Sequence, residues 1–326
     1  MTTPAEKGTD MLLSRVAECV YWAGRYLERT EATARLVQVH TELYLDLPKA
    51  AGVGWSPLLA VTGTGAAFRE RHEEATEEAV IAFLAADLDN SGSIVSSLAQ
   101  ARENLRITRA ILPRASWETL NELYLTAMAT RSDAIDRRTR LRWSDEIIHR
   151  CHMLTGALDG TMSHDNTYSF LEIGRFLERA DMTTRVLDVQ AGILMGANDG
   201  LTPYADVTWM SVLRSLSAHQ MFIRTAGCGV SGPEALRFLL KDPQFPRSVE
   251  RCLTEISRAL LEVPRYETPM GGCAEMQGLL ELARVEELAS EGLHEYADRL
   301  QVCLADLHEL LTDTYFRRAP ALMTSA

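Results

Sequence analysis

Lysine is almost missing from this chain of 326 residues, and acidic residues outnumber basic ones. The 33 lysines and arginines face 45 aspartates and glutamates, which gives a formal net charge of −12 at pH 7. This balance argues against a protein that binds the phosphate backbone of nucleic acids. Only Lys7, Lys49 and Lys241 are lysines, so 30 of the basic residues are arginines. Two explanations stay open: a biased genome composition, or a need for planar cations in partly buried places.

Paired cysteines and long apolar runs are also missing. The six cysteines are scattered without a C-x-x-C spacing, which predicts reduced packing residues in a cytoplasmic protein. The first residues lack the charged-then-apolar pattern of an export signal. The least charged stretch, residues 52–68, is too short and too polar to cross a membrane. We therefore expect a soluble protein that does not bind membranes.

Familiar catalytic and nucleotide-binding motifs are missing too. The chain has no P-loop, no G-x-G-x-x-G, no G-x-S-x-G and no H-E-x-x-H pattern, so it shows neither a nucleotide fold nor a nucleophile of its own. His149 and His152 are spaced so that both could contact one metal ion, but no carboxylate joins them at ligand spacing. The sequence thus predicts no metal site and no firmly bound cofactor.

Helical patterns run through almost the whole chain, and strand-like alternation is absent. The sequence therefore predicts an all-α helical bundle, and 46% hydrophobic residues suffice for its core. The predicted helices are Leu12–Leu45, Phe68–Ala86, Ser93–Leu112, Ser116–Arg131, Leu141–Leu158, Asn166–Leu194, Val207–Ala226, Pro233–Lys241, Pro246–Leu261 and Met276–Phe316. Residues 1–10 and 317–326 are expected to be flexible tails.

One motif occurs twice, 150 residues apart. Gly-Arg-Tyr-Leu-Glu-Arg at 24–29 returns as Gly-Arg-Phe-Leu-Glu-Arg at 174–179. Weaker matches follow in the same order: Trp55 with Trp209, Phe83-Leu84 with Phe238-Leu239, and Ser93 with Ser248. We infer two degenerate helical repeats, 11–160 and 161–316, related by approximate two-fold symmetry. Both repeats are expected to form one compact domain.

The repeated helix carries a charged stripe between large apolar residues. At about 100° per residue, the charged side chains on this face are Arg25, Glu28, Arg29 and Arg35 in the first copy and Arg175, Glu178, Arg179 and Arg185 in the second. A solvated face would be polar throughout, so the stripe is predicted to be at least half buried. Its charges must then be paired, because an unpaired buried charge costs roughly 3–5 kcal/mol. Two-fold symmetry predicts the reciprocal pairs Glu28 with Arg179 and Glu178 with Arg29.

The stripe has more arginines than acids. Counting Glu31 and Asp181 nearby, six arginines meet four acids, which leaves two positive charges in a shielded place. Such a surplus suits a carboxylate or phosphate ligand. Three interpretations stay open: a salt-bridge network that joins the two halves, an anion-binding or catalytic site, and a surface for a partner protein.

Two further segments carry candidate anion ligands. The first, which has no counterpart in the second repeat, comprises Arg102, Glu103, Asn104 and Arg106. A charged set that occurs in only one of two repeats is what a single active site would produce. The alternative is a row of solvent-exposed ion pairs along one helix face. In the second segment, Pro246 is predicted at or near the first position of a helix, so that Arg247 and Ser248 form an anion seat with free N–H groups. The alternative there is a simple capped helix start.

These motifs, in this order, resemble the bacterial alpha-E family. The resemblance rests on residues 11–18, Tyr21-Trp22, 25–29, 101–104, Trp117-Glu118, 160–162, 174–182 and 245–248. It covers about residues 11–316, nearly the whole chain. Ala32 departs from the family, in which an asparagine is expected after Glu31.

The resemblance implies an all-helical protein that accompanies, or is fused to, a circularly permuted ATP-grasp ligase, often beside transglutaminase-like peptidases. Because ATP-grasp enzymes activate a carboxylate as an acyl phosphate and pass it to an amine, it implies a role in peptide or amide bond formation. The partner would supply ATP. The alternative is a non-catalytic helical scaffold that binds the ligase.

Candidate roles follow for the charged residues if the chain takes part in this chemistry. The candidate proton acceptors are Glu28, Glu178 and Glu103. The candidate ligands for the carboxylate or acyl phosphate are Arg25, Arg29, Arg35, Arg102, Asn104, Arg106, Arg175, Arg179, Arg185, Arg247 and Ser248.

Overall fold

The computed structural model describes residues 4–48, 51–195, 204–227 and 229–317. Over these ranges the chain forms sixteen α-helices and no β-strand, which confirms the all-α prediction. The first half contains α1 (Pro4–Asp46), α2 (Ser56–Val61), α3 (Gly65–Arg69), α4 (Glu77–Ile81), α5 (Ile94–Ile107), α6 (Arg114–Ala129), α7 (Arg131–Ile135) and α8 (Arg140–Thr161). The second half contains α9 (Asn166–Met195), α10 (Ala205–Ser215), α11 (His219–Ala226), α12 (Gly232–Lys241), α13 (Val249–Leu261), α14 (Glu267–Leu282), α15 (Val285–Ser290) and α16 (Leu293–Leu311). Shorter π or 3₁₀ turns are Ala82–Ala86, Arg109–Ile111 and Thr312–Phe316.

The two longest helices form the centre of the molecule. Helix α1 has 43 residues and α9 has 30, and they pack against each other. Helices α5 and α8 pack on α1, while α13 and α16 pack on α9. Most of the buried apolar side chains belong to one continuous core that contains residues from both halves. The charged stripes of the repeated motif therefore lie in the middle of the protein.

Helices α1 and α9 approach most closely at Gly24 and Gly174. A Cβ atom on Gly24 would overlap the carbonyl oxygen of Leu171, and a Cβ atom on Gly174 would overlap that of Tyr21. Only glycine permits this approach, because each backbone lies where the other helix would place a side chain. The contact is reciprocal, as it would be across an approximate two-fold axis.

The matched serines of the two halves make matched contacts. Ser93 caps α5 by accepting a hydrogen bond from the backbone N–H of Ser96, and its hydroxyl donates to the carbonyl of Asp87. Ser248 caps α13 in the same way, accepting from Arg251 and donating to the carbonyl of residue 242. These local similarities agree with the inferred repeats, which stay an interpretation of the sequence.

Three predicted helices are interrupted. Within the segment predicted as one helix, Phe68–Ala86, α3 ends at Arg69. The next helix, α4, begins after its N-cap residue Thr76. The segment predicted as Met276–Phe316 breaks after α14 and again at Gly292, whose φ of 83° is left-handed. The segment predicted as Val207–Ala226 breaks at Ser217, whose φ is 53°.

Several predicted helix ends also differ from the structure. The helix predicted to begin at Ser116 begins at Arg114, so Ser116 is buried inside α6. Pro246 lies in the turn before α13 rather than at its first position. Residues 4–10, predicted as part of a flexible tail, belong to α1, whereas residues 318–326 of the other predicted tail lie outside the described residues.

Candidate functional site

The crossing of α1 and α9 brings the two Gly-Arg-aromatic-Leu-Glu-Arg motifs together. The carboxylate of Glu178 accepts hydrogen bonds from Arg29, at 2.6 Å from Nε and 3.1 Å from Nη2. In return, the carboxylate of Glu28 accepts hydrogen bonds from Arg179, at 2.9 Å from Nε and 2.7 Å from Nη2. Both reciprocal pairs predicted from the sequence are thus confirmed, and both are bidentate. The side chains of the two glutamates are each only 2% exposed, so the pairs are buried.

Each buried glutamate has a second arginine. Arg25 donates from Nε to Glu178 at 2.6 Å. Arg247, which lies in the turn before α13, donates to Glu28 and also reaches both carboxylate oxygens of Glu31 at 2.8 Å. Arg247 was predicted as part of an anion seat, and the structure instead shows its guanidinium bonded to two carboxylates of the protein.

The outer members of the network form pairs within one helix. Arg35 donates to Glu31 at 2.5 Å, and Arg185 donates to Asp181 at 2.9 Å. Arg175 donates to Glu172 at 2.8 Å. Our sequence reasoning missed Glu172, although its position three residues before Arg175 on the same helix is a usable signal.

His152 also joins this network. Its Nε2 lies 3.1 Å from the carboxylate of Glu31, and its side chain is about half exposed. His149, its neighbour in the sequence pattern, bonds instead to Asp145 at the surface. The two histidines therefore do not share a ligand. The described residues contain no group of three or more His, Cys, Asp or Glu side chains that could hold a metal ion.

We name this set of side chains the junction network. It comprises Arg25, Glu28, Arg29, Glu31, Arg35, His152, Glu172, Arg175, Glu178, Arg179, Asp181, Arg185 and Arg247. It has two ends: one around Glu28 and Glu31, and one around Glu178 and Asp181. The first end includes Arg247, whereas the matching position of the first repeat is Gly92. The two ends therefore differ in composition, although the motif at their centre is the same.

The network holds its central glutamates in the ionised form. Burial would raise the pKa of Glu178, but the charges of Arg25 and Arg29 outweigh that effect and hold the pKa at about 2. Burial likewise opposes ionisation of Glu28, and the charges of Arg179 and Arg247 lower its pKa. Both glutamates are therefore bound anions at neutral pH and weak proton acceptors.

In two outer carboxyl groups, burial outweighs the nearby arginines, so the net shift of the pKa is upward. Burial raises the pKa of Glu172 in spite of Arg175, and it raises the pKa of Asp181 in spite of Arg185. Each of these groups forms an ion pair with one arginine, whereas Glu178 forms ion pairs with two. The carboxylates that take up a proton most easily are thus at the margins of the network.

Arginines outnumber carboxylates in the network. Seven arginines meet five carboxylates, one more arginine at each end. Within the described part of the chain, the buried Nε groups of Arg35 and Arg175 and one oxygen of Glu172 have no hydrogen-bond partner. A cavity of about 20 Å³ adjoins Arg175, Glu28 and Glu31, which is room for one water-sized group.

The other predicted ligands lie apart from this network. Arg102 donates to Asn121 at 2.8 Å and lies over the rings of Trp117 and Tyr124 on α6. Glu103 and Arg106 pair with each other on the exposed face of α5. Asn104 donates to the backbone of its own helix, at the carbonyl of Gln100. These contacts match the alternative interpretation, a row of solvent-exposed charged side chains, in which Arg102 is held by Asn121 and the rings of α6.

Ser248 has no free hydroxyl for a ligand. Its Oγ accepts the N–H of Arg251 at 3.1 Å and donates to the protein backbone, and the residue is fully buried. The capped helix start, which was the alternative to an anion seat, describes this segment.

Two general features bear on the setting of the protein. No helix among the described residues is both long and apolar enough to cross a membrane. The cysteines at 19, 151, 252, 273 and 303 are all free thiols. Cys228 lies outside the described residues.

Comparison with known proteins identifies a family. A family model called Alpha-E, described as a predicted alpha-helical domain with a conserved ER motif, matches residues 12–316. The dipeptides Glu28-Arg29 and Glu178-Arg179, at the centre of the junction network, are both Glu-Arg.

Similar curated proteins occur in mycobacteria. An uncharacterized protein of Mycobacterium bovis and two uncharacterized proteins of Mycobacterium tuberculosis are each 24% identical to this chain over 322 residues. The match covers 92% of this chain but only 36% of each relative. This chain therefore spans about a third of the length of these relatives. No solved structure matches it.

Proposed function

Since this chain belongs to the Alpha-E family, we propose that it is the helical component of a bacterial system that forms peptide or amide bonds. In this proposal it works in the cytoplasm with a circularly permuted ATP-grasp ligase, which supplies ATP, and a transglutaminase-like peptidase is a further partner. The chain binds the carboxylate or the acyl phosphate through arginines of the junction network. Its own residues bind and orient the anion, while the ligase performs the activation.

The main support for this proposal is the excess of arginines over carboxylates in the junction network. Each of the seven arginines contacts a carboxylate, but Glu28, Glu31 and Glu178 are each shared by two arginines. The network therefore has two more positive than negative charges, and a bound anion would balance this excess. The buried and unbonded Nε groups of Arg35 and Arg175 are two donors for such an anion. Guanidinium groups bind carboxylates and phosphates through paired hydrogen bonds, which suits both proposed ligands.

The anion would enter beside His152. This side chain is the most exposed of the network, and it contacts the Glu31 carboxylate to which Arg35 also bonds. The cavity nearby holds only a water-sized group. A carboxylate or phosphate group is larger than this cavity, so a side chain at its wall, such as Arg175, would move as the anion binds.

Proton transfer from an amine needs a carboxylate that is not already neutralised by arginine. Glu28 and Glu178 each bind two arginines, and Glu103 is at the surface. These observations make the three predicted proton acceptors weaker candidates than the predicted anion ligands. The ligase partner is then the better source of the general base.

A non-catalytic scaffold is the second candidate function. Every carboxylate of the network has an arginine partner in the described structure, as a purely structural junction would require. The greater length of the mycobacterial relatives also fits a module that works beside other protein regions. In this case the exposed surface, and not the network, would bind the ligase.

A reconstituted reaction separates the two functions. Arg35→Gln removes a buried guanidinium of the network, and Arg114→Gln is its control, because Arg114 forms an exposed i, i+4 pair with Glu118. We expect Arg35→Gln to reduce product formation with the ATP-grasp partner by about tenfold or more, and to weaken binding of inorganic phosphate, while Arg114→Gln changes neither.

The folded state and partner binding must be measured in the same variants. If Arg35→Gln keeps its thermal unfolding temperature and its affinity for the partner but loses product, the anion-binding function is supported. If product formation is unchanged, that function is wrong. If affinity for the ligase falls in parallel with product, the scaffold function is supported instead.

A further inference from the structure

A second cavity lies away from the junction network, between α1, α2, α9 and α10. Its volume is about 220 Å³. Aliphatic side chains form most of its wall, including Leu36, Leu43, Leu58, Val61, Val186 and Val212. For comparison, a dry apolar cavity of about 150 Å³ holds a benzene molecule. This cavity is therefore large enough for a small organic ligand.

The wall of this cavity carries no charge. Among the described residues, no Asp, Glu, Lys or Arg lines it. A charged ligand would lose its hydration without gaining a counter-ion, which is strongly unfavourable. The ligand that fits this wall is neutral and mainly aliphatic.

His40 is the one histidine among the residues that line the cavity. Its Nε2 lies 2.8 Å from the carbonyl oxygen of Gly54. Because a carbonyl oxygen can only accept, Nε2 must carry the proton and donate it. The edge of the ring contacts Trp55, with the ring centroids 4.9 Å apart, so the orientation of the imidazole is fixed.

The second ring nitrogen of His40 is an acceptor without a partner. Burial lowers the pKa of His40 to about 4, so the ring is neutral at pH 7 and Nδ1 has a free lone pair. Within the described part of the chain no group donates to Nδ1. His40 is only 9% exposed and lines the cavity, so its unpaired Nδ1 can accept a hydrogen bond from a ligand bound there.

Ser211 and Ser215 line the same wall, one turn apart on α10. A hydroxyl can both donate and accept, so these serines can serve a carbonyl oxygen of the ligand while His40 serves its donor. An amide group offers both functions in one plane. A carboxylate ligand would need a positively charged partner, which neither serine provides.

We propose that this cavity binds a small neutral aliphatic amide, with the amide N–H donating to Nδ1 of His40 and the aliphatic part packed against the leucines and valines. The cavity accommodates about five to eight non-hydrogen atoms. The site is independent of the proposed anion site, because none of the junction arginines lines it.

Isothermal titration calorimetry with isovaleramide tests this site in the full chain. Isovaleramide has an aliphatic branch and an amide donor, isovalerate replaces the donor with a charge, and methyl isovalerate has neither donor nor charge. We expect saturable binding of isovaleramide with a dissociation constant on the order of 1 mM or tighter. Isovalerate at pH 7.5 should not bind, and the ester should bind at least about fivefold more weakly than the amide.

Two variants locate the ligand. His40→Phe keeps an aromatic ring but removes the acceptor, so it should weaken isovaleramide about fivefold and leave the ester unchanged. Ser211→Leu fills the cavity and should abolish binding of both. Ser132→Leu, at an exposed serine of α7, is the matched control and should bind like the original chain. Thermal unfolding of each variant shows whether it is folded.

Three results would overturn the proposal. The first is the absence of saturable heat with isovaleramide at concentrations up to about ten times the expected dissociation constant. The second is binding to a folded Ser211→Leu variant, which would place the ligand elsewhere. Equal binding of the amide and the ester, with His40→Phe unchanged for both, would remove the role of His40.

Discussion

Glu178 and Glu103 show how burial changes the stabilisation that a glutamate–arginine ion pair provides. Both carboxylates bond to arginine, but the side chain of Glu178 is 2% exposed and that of Glu103 is 54% exposed. Water screens the surface pair, whereas removal of Glu178 would leave Arg25 and Arg29 buried without a counter-charge.

We therefore predict that Glu178→Gln lowers the free energy of unfolding by about 3–5 kcal/mol. Glu103→Gln should leave it nearly unchanged, because water screens this exposed pair. Urea unfolding followed by circular dichroism measures both values. An equal loss of unfolding free energy in the two variants would show that the buried ion pair stabilises the protein no more than the exposed one.

His40 makes the stability of the protein depend on pH. Its pKa is lowered by burial from 6.5 to about 4 in the folded protein, so the unfolded chain binds the proton more tightly. The stability from this group is present above pH 6.5 and is lost as the pH falls from 6.5 to 4, by about 3 kcal/mol in total.

In His40→Phe this contribution is absent. We predict that its free energy of unfolding falls less steeply than that of the original chain between pH 6.5 and 4. Urea titrations at several pH values give the slope. The same slope in both proteins would mean that His40 is not the group responsible.

At the scale of single residues, the sequence predicts the partners that its own periodicity aligns. The stripe on the repeated helix, together with the approximate two-fold symmetry, was enough to pair Glu28 with Arg179 and Glu178 with Arg29. The guanidinium of Arg247 could not be paired in this way, because its contact with Glu28 depends on how the turn before α13 packs against α1. Sequence spacing alone does not contain that information.

The close contact between α1 and α9 depends on two glycines. A methyl group on Gly24 or on Gly174 would overlap a backbone carbonyl of the other helix, and backbone atoms cannot rotate away. Gly156, in α8, is exposed and would meet nothing within 4 Å. These positions provide a test of the crossing and its control within helices of the same protein.

We predict that Gly24→Ala and Gly174→Ala each destabilise the protein by about 2–3 kcal/mol, since α1 and α9 must move apart. Gly156→Ala should stabilise it by up to about 1 kcal/mol, because alanine favours the helix. Thermal unfolding temperatures report all three effects. Unchanged stability in both crossing variants would contradict the close contact.

Helix type was predictable, but helix interruptions were not. The apolar period continues through residues 276–316, so the sequence indicates one helix there. The structure breaks this segment at Gly292, where the left-handed conformation is accessible because glycine lacks a Cβ atom. The choice between continuing and turning is made by packing on the core, which periodicity does not report.

The two halves of the molecule share their interior. The continuous core contains residues of both halves, and the junction network joins α1 of one to α9 of the other. Each half alone would expose a long apolar surface and several unpaired charges.

We predict that fragments 1–163 and 164–326 do not fold separately. Each should lack cooperative thermal unfolding, and an equimolar mixture should recover it. Circular dichroism and calorimetry of the fragments and the mixture provide the measurement. A cooperative transition in either fragment alone would show that a repeat is an independent domain.

The reciprocal ion pairs also determine how α1 and α9 align along their length. Sliding one helix by a single turn, about 5.4 Å, would separate Glu28 from Arg179 and Glu178 from Arg29 at the same time. Apolar side chains alone would tolerate such a shift better, because their attraction has little directional preference. The charged centre thus makes the observed alignment of the two halves unique, even where a wholly apolar contact would bind them as tightly.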